Sequence, residues 1–282
     1  MKKTLLSLLM TAGLLLSLSE ANAQAKFPQA SSTAKIEQTV GIRSIHLTYQ
    51  RPNINARTIF GGLVPYDQVW RTGANNIPSI TFEEAVTIAG KTIPAGTYGI
   101  FSIPTKGDWT IIFSKNEKQW GSYQYKQEED FVRFTAKAHK IADKVETFTI
   151  AFENVTPKGT DLTIAWENTK VSFHIAVDQS KEIVASIEEA MKGAKKPYFA
   201  AAQYFYTNDL DIKKAVEWVN EADKENSQAA HIKYWKARIL LKAGDKAGAI
   251  KAATEGVNLA KATNTEEYVK LNTQVINEAN KK

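Results

Sequence analysis

In several segments between residues 45 and 177, apolar side chains recur at every second position. Phe148, Ile150 and Phe152 alternate with Thr147, Thr149 and Ala151, and the same beat runs through Leu162, Ile164 and Trp166 and through Val171, Phe173, Ile175 and Val177. An extended chain turns successive side chains to opposite faces, so this period predicts strands with one face in a core and the other in water. Residues 45–49, 96–103, 109–113 and 131–135 read the same way, and 86–89 and 91–93 flank Gly90 as a hairpin. Pro104-Thr105-Lys106-Gly107-Asp108, residues 154–161 and Asn168-Thr169 supply turns between strands. Roughly eight to ten short strands separated by frequent turns predict a β-sandwich or a small β-barrel, architectures that share this pattern.

Near residue 180 the beat changes. Ala, Lys and Glu take over, and residues 181–195 predict a helix with Ile183, Ile187, Ala190 and Met191 on one face. Pro197 opens the next helix, at a position where a missing amide costs little. A shift of 34 residues then superimposes Asp211 on Asp245, Ala215 on Ala249, Val216 on Ile250, Phe205 on Ile239 and Tyr206 on Leu240. That is the period of a tetratricopeptide-like helical hairpin, in which small residues such as Ala215 and Ala249 let neighbouring helices approach closely. A plain helical bundle with a coincidental spacing is the alternative. Two hairpins bury little surface alone, so residues 181–195, residues 265–280 and the β-domain are expected to support them. The chain is thus divided into residues 1–23, an all-β domain over 24–178 and an α-helical repeat-like domain over 179–282.

The first segment reads as a signal peptide. Lys2 and Lys3 precede an apolar stretch at residues 5–18, and Ala21-Asn22-Ala23 has the small-x-small form of a cleavage site. The stretch is shorter than the roughly 20 residues that span a hydrocarbon core, so cleavage after Ala23 is expected rather than anchoring. The chain has no cysteine, which excludes a lipoprotein anchor, disulfides, thiolate metal sites and a cysteine nucleophile. These features predict a periplasmic or secreted protein with no membrane span in its mature form.

Charge changes the picture little. Loss of Lys2, Lys3 and Glu20 lowers the formal net charge from +6 to +5, and the excess is spread along the chain: 17 basic against 15 acidic residues in 24–180, and 17 against 14 in 181–282. A nucleic-acid surface concentrates positive charge, so no nucleic-acid partner is expected.

The unusual chemistry lies in residues 49–76 and 94–133. Tyr49-Gln50-Arg51-Pro52 leads through Arg57, Ile59-Phe60-Gly61-Gly62 and Val64-Pro65-Tyr66 to Val69-Trp70-Arg71-Thr72-Gly73-Ala74-Asn75-Asn76. Pro94-Ala95-Gly96-Thr97-Tyr98, Trp120-Gly121-Ser122-Tyr123-Gln124-Tyr125 and Asp130-Phe131-Val132-Arg133 follow. In this order and spacing the segments resemble the exported bacterial family of domain of unknown function 2911, over approximately residues 27–177. The resemblance carries no activity with it, and tetratricopeptide-like helices are consistent with the family's longer members.

Each residue therefore has to be weighed by its own chemistry. Arg51, Arg57, Arg71 and Arg133 offer rigid forks of donors that would suit a carboxylate or phosphate if they converged. The competing expectation is that each pairs with an acid, Asp67, Glu128, Asp130 or Glu146, and ties a loop down. Gly61-Gly62 and Gly73 permit close backbone approach, but no glycine-rich loop leads into a helix as a phosphate motif requires. The four histidines, His46, His139, His174 and His231, occur singly, so no metal is expected, and nothing implies a cofactor. No nucleophile elbow is present. Asp108, Asp130 and Glu146 are the acids of interest, although a carboxylate pair is assembled in space and not by spacing. Among the aromatics, Trp109 alternates with Ile111 and Phe113 and belongs in the core. Trp120 and Tyr123 break the alternation and are the better surface candidates for stacking on a ligand.

The candidate ligand-binding set is therefore Arg51, Arg57, Trp70, Arg71, Asn75, Trp120, Tyr123 and Arg133. The leading expectation is an envelope binding module, with a small anionic or glycan ligand on the β-domain and a protein partner on the helices. The alternatives are a hydrolase or isomerase built on Arg71, Asn75, Asp130 and Arg133, and a structural envelope component without a pocket.

Overall fold

A computed structural model describes residues 27–281; the expected signal peptide lies outside these residues. The described chain separates into two compact units, the first ending at Asp178 and the second beginning at Gln179. Among the described residues no helix is long and apolar enough to cross a membrane.

The first unit consists of β1 (Ser32–Val40), β2 (Arg43–Arg51), β3 (Ser79–Phe82), β4 (Val86–Ile88), β5 (Lys91–Ile93), β6 (Gly96–Ile103), β7 (Trp109–Ser114), β8 (Asp130–Thr156) and β9 (Gly159–Ala176). They form one antiparallel nine-stranded sheet in the order β1-β2-β3-β6-β7-β8-β9-β4-β5, with β1 and β5 as edges, so the sheet does not close into a barrel. The β8 strand makes it fold over. Its first residues pair with β7, from Asp130 opposite Ser114 to Ala136 opposite Trp109. From Lys137 onward it pairs with β9, with register shifts between Lys140 and Val145 and again before Thr149. One strand thus belongs to two layers, and the irregular stretch between its halves takes the bend. Inward side chains from both layers fill one core: Leu47, Ile80, Ile100, Trp109 and Phe113 meet Phe148, Ile164, Trp166, Phe173 and Ile175.

Two strand expectations need correction. Asn168-Thr169 is not a turn, because β9 runs through it; Glu167 has φ 54° and β8 shifts register opposite. The Asn168 amide donates to the carbonyls of Ile141 (3.1 Å) and Ala142 (3.2 Å), filling the bonding gap that the shift leaves in β8. Residues 154–161 hold a tighter turn than expected, since β8 continues to Thr156 and β9 starts at Gly159. The β4–β5 hairpin matches its reading: Ala89 and Gly90 both have positive φ, 49° and 74°, as a two-residue primed turn requires.

The second unit contains α1 (Ser180–Ala190), α2 (Tyr198–Thr207), α3 (Ile212–Glu225), α4 (Ala230–Lys242), α5 (Lys246–Ala262) and α6 (Glu266–Asn280). The helix α1 stops short of residue 195, and it packs through Val184, Ile187 and Met191 while Ala190 is exposed. The 34-residue shift maps one helix start onto another. Asp211 caps α3 by accepting from the Lys213 amide at 2.9 Å, and Asp245 caps α5 from the Gly248 amide at 2.8 Å. Ala215 and Ala249 are both fully buried, as close helix approach demands.

Two substitutions test the packing. Trp109→Ala should lower unfolding free energy by about 3–5 kcal/mol in urea titration, the usual cost of deleting a buried large aromatic. Gly256→Ala should destabilise by about 1–3 kcal/mol, despite alanine's better helix propensity, because the added methyl collides with the buried Asn272 carboxamide of α6.

Candidate anion-binding cleft

The chain between β2 and β3 is a long loop pinned from several sides. Its first half closes on itself: Leu63 donates to Thr58 O (3.0 Å), Val64 to Ile59 O (2.9 Å) and Gly61 to Val64 O (2.8 Å). Gly61 has φ 86°, and a methyl there would lie 2.8 Å from the Tyr66 ring, so Gly61-Gly62 serves a packed turn. The second half runs beside β6. Trp70 and Ser102 exchange both backbone hydrogen bonds, at 2.7 and 3.0 Å, and Ile100 donates to Pro78 O at 2.8 Å. The 119–121 segment holds the other flank, with Ile77 N donating to Gln119 O (3.1 Å) and Gly121 N to Asn75 O (2.8 Å).

This pinning sorts the loop's side chains. Trp70 turns toward the core, stacks on Trp166 with ring centroids 6.0 Å apart and planes 9° from parallel, and meets Phe60, Trp109 and Phe148 edge-on. Thr72 is fully buried and shares a 2.8 Å hydrogen bond with the Ser102 hydroxyl. Between them Arg71 lines a cleft of about 620 Å³, with Asn53, Asn55, Arg57, Leu63, Pro65, Gln68, Gly73, Ser122, Tyr123 and the edges of Trp70 and Trp166 among its other walls.

Arg57 and Arg71 are the charged residues of that lining. Arg57 bonds only backbone carbonyls, Nε to Ile54 O (2.8 Å) and Nη2 to Asn53 O (2.6 Å). Arg71 Nε reaches Gly73 O at 3.4 Å, a long contact. Among the described residues neither arginine forms an ion pair. Glu146 is not in the lining, but its carboxylate accepts the backbone N–H of the lining residue Asn55 at 2.9 Å. Two guanidinium groups facing one concavity without a counter-ion leave it positive and rich in fixed donors.

Residues 31–175, more than half of the chain, match the family described as Protein of unknown function (DUF2911). The chain belongs to that family. No curated protein and no solved structure matches it. The DUF2911 span contains every residue of the cleft lining except Ala30.

Of the eight residues singled out in the sequence, Arg57, Trp70, Arg71 and Tyr123 line the cleft. Arg51 is committed elsewhere: its guanidinium donates to Phe148 O (3.2 Å) and Thr149 Oγ1 (2.9 Å), tying β2 to β8. Asn75 contributes its backbone, with φ 55° and a carbonyl that anchors Gly121. Trp120 stands at 63% exposure and stacks on Tyr123 without lining the cleft. Arg133 pairs with Asp130 and Tyr125, so Arg71, Asn75, Asp130 and Arg133 do not assemble in the cleft. Among the acids expected as arginine partners, Asp130 alone takes that role among the described residues. His46 contacts Glu83 and Glu37, and His174 contacts Asp161.

Asn53, Asn55, Gln68 and Trp166 are cleft residues that the sequence reading passed over. The two asparagines flank Ile54 just before Asn55 and Ala56 adopt positive φ, a turn signature visible in sequence. Trp166 reads as core, and it is core with one edge in the wall.

The Tyr125–Asp130–Arg133 group yields a pH test. Burial first, and then the hydrogen bond to Asp130, push the Tyr125 phenol up from its ordinary 10 to about 12. The contribution is complete below the unfolded value. Between roughly pH 10 and 12 the unfolded chain ionises first, so stability falls as pH rises. The decline of the urea midpoint across that window should be shallower in Tyr125→Phe than in the wild type; parallel declines would contradict the assignment.

Proposed function

We propose that the DUF2911 unit is a binding module for a small anion, a carboxylate or phosphate group, held by Arg57 and Arg71. The observation that carries this reading is the cleft itself: two arginines without ion-pair partners among the described residues, neutral amides around them and no acid in the described lining. A guanidinium donates paired, charge-assisted hydrogen bonds to two oxygens of a carboxylate or phosphate, a geometry that lysine would not fix. The loop is shaped before any ligand arrives, because Trp70 and Thr72 lock the backbone on both sides of Arg71.

In the same reading the protein is exported to the periplasm or beyond, and its helices form a tetratricopeptide-like unit that meets a protein partner. The half-buried Tyr206, Tyr234 and Trp235, gathered around the Arg238 guanidinium at 5.1–5.6 Å, suit such a contact.

Titration with inorganic phosphate and acetate tests the cleft. Arg57→Ala and Arg71→Ala should each weaken binding about tenfold or more; Arg71→Ala should leave the melting temperature nearly unchanged, whereas Arg57→Ala also removes hydrogen bonds to the carbonyls of Asn53 and Ile54 and should lower it. Unaltered affinity in both variants would remove the cleft from consideration. Export is tested separately: protein recovered from the cell envelope should begin at Gln24.

A further inference from the structure

The rim of the cleft carries a feature that anion binding alone does not use. Trp120 and Tyr123 are 63% and 78% exposed, yet their rings stack on one another with centroids 6.0 Å apart and planes 23° from parallel. The segment bearing them is held firmly. Asn76 and Trp120 form a backbone bridge, Gly121 N bonds Asn75 O at 2.8 Å, and Tyr125 N bonds Ser122 O at 3.2 Å. Beneath it the Gln119 side chain is buried and donates to Glu129 at 3.1 Å.

Gly121 joins this platform to the charge. It has φ 74°, and a methyl there would stand 2.9 Å from the Tyr123 ring and 3.3 Å from Arg71 Nη1. The aromatic ring and the guanidinium therefore converge on the same bare backbone position. Around the junction the carboxamides of Asn55 and Gln68 and the Ser122 hydroxyl line the cleft. None of these three side chains hydrogen-bonds within the protein among the described residues.

We infer that the ligand is an acidic sugar, its ring stacked on the exposed Trp120–Tyr123 pair and its carboxylate on Arg71. This rests on the anion-binding reading and narrows it. The aliphatic C–H face of a pyranose packs on an aromatic plane, as a bare phosphate cannot. Neutral amides and a hydroxyl match sugar hydroxyls, which both donate and accept. The two arginines call for a negative charge beside that ring, which separates an acidic sugar from a neutral one.

The experiment is a calorimetric titration of the mature chain with an oligogalacturonate, a neutral malto-oligosaccharide of equal length and inorganic phosphate. The oligogalacturonate should bind about tenfold more tightly than either comparator. Trp120→Ala, at a residue outside the cleft lining, should lose that advantage with phosphate affinity unchanged, and Trp120→Phe should retain it. The Trp120 side chain is exposed, so the melting temperature serves as a folding control. An oligogalacturonate no tighter than phosphate, an equally bound neutral sugar, or an advantage that survives Trp120→Ala would overturn the acidic-sugar assignment while phosphate binding upholds the anion site. Failure of phosphate and oligogalacturonate alike would overturn both.

Discussion

The cleft depends on the stack between Trp70 and Trp166. Trp70 belongs to a loop and Trp166 to β9, so their contact, 6.0 Å between centroids and nearly parallel, fastens the β2–β3 connection into the core shared by both layers. A loop of this length would otherwise carry a large conformational entropy. With Trp70 buried and bridged to Ser102, the backbone direction through Arg71 is set, and Arg71 is the residue left facing the cleft. The wall of the cleft and the core of the fold are thus the same aromatic cluster.

The arginines show how one residue type divides between structure and chemistry. Arg51 reaches across to β8 and satisfies its fork on a carbonyl and a hydroxyl, adding a tether where β2 passes the bend. Arg133 has its charge answered by Asp130, with Tyr125 completing the triad against Phe101. A guanidinium paired in this way offers little to a ligand, since a ligand would have to displace the carboxylate. Among the described residues Arg57 and Arg71 bind only carbonyls, which orient the fork and leave its charge uncompensated. What distinguishes the two pairs is the identity of their neighbours in space.

That distinction sets the limit of what the sequence discloses. Strand β9 is legible because it alternates over most of its length, β6 and β7 because their apolar runs, buried on both faces at Ile100-Phe101 and Ile111-Ile112, are bounded by turn residues, and the β4–β5 turn because Ala89-Gly90 sits between two short β-branched segments. The full span of β8 is not, since residues 137–147 lose their apolar beat where the strand leaves one layer for the other. The edge strand β1 is hidden for a related reason: its outer positions are Lys35, Glu37 and Thr33, polar as a solvated edge should be. The loop motif is readable as unusual chemistry, because charge, amide and hydroxyl crowd into a non-alternating stretch. Its convergence with Arg57 and Tyr123 is unreadable, because it is produced by the long-range contacts of Trp70 with Trp166 and of Asn75 with Gly121.

The helical unit meets a similar problem with a different device. Its cores are rich in alanine, with Ala201, Ala202, Ala215, Ala237, Ala249, Ala252 and Ala253 buried, and such small side chains give close approach but little register. Polar groups supply the missing specification. Lys233 lies 2.8 Å from Asp223 on α3 and 2.8 Å from Glu255 on α5, and Lys236 adds a second contact to Asp223. Burial alone would raise the Asp223 carboxyl, yet hydrogen bonds from Lys233 and Lys236 hold it below its ordinary value. A helix sliding by one turn would strand these charges, and an unpaired buried ion costs about 3–5 kcal/mol. The network therefore penalises the wrong packings more than it rewards the right one, which is what three smooth, alanine-lined helices need in order to hold a single arrangement.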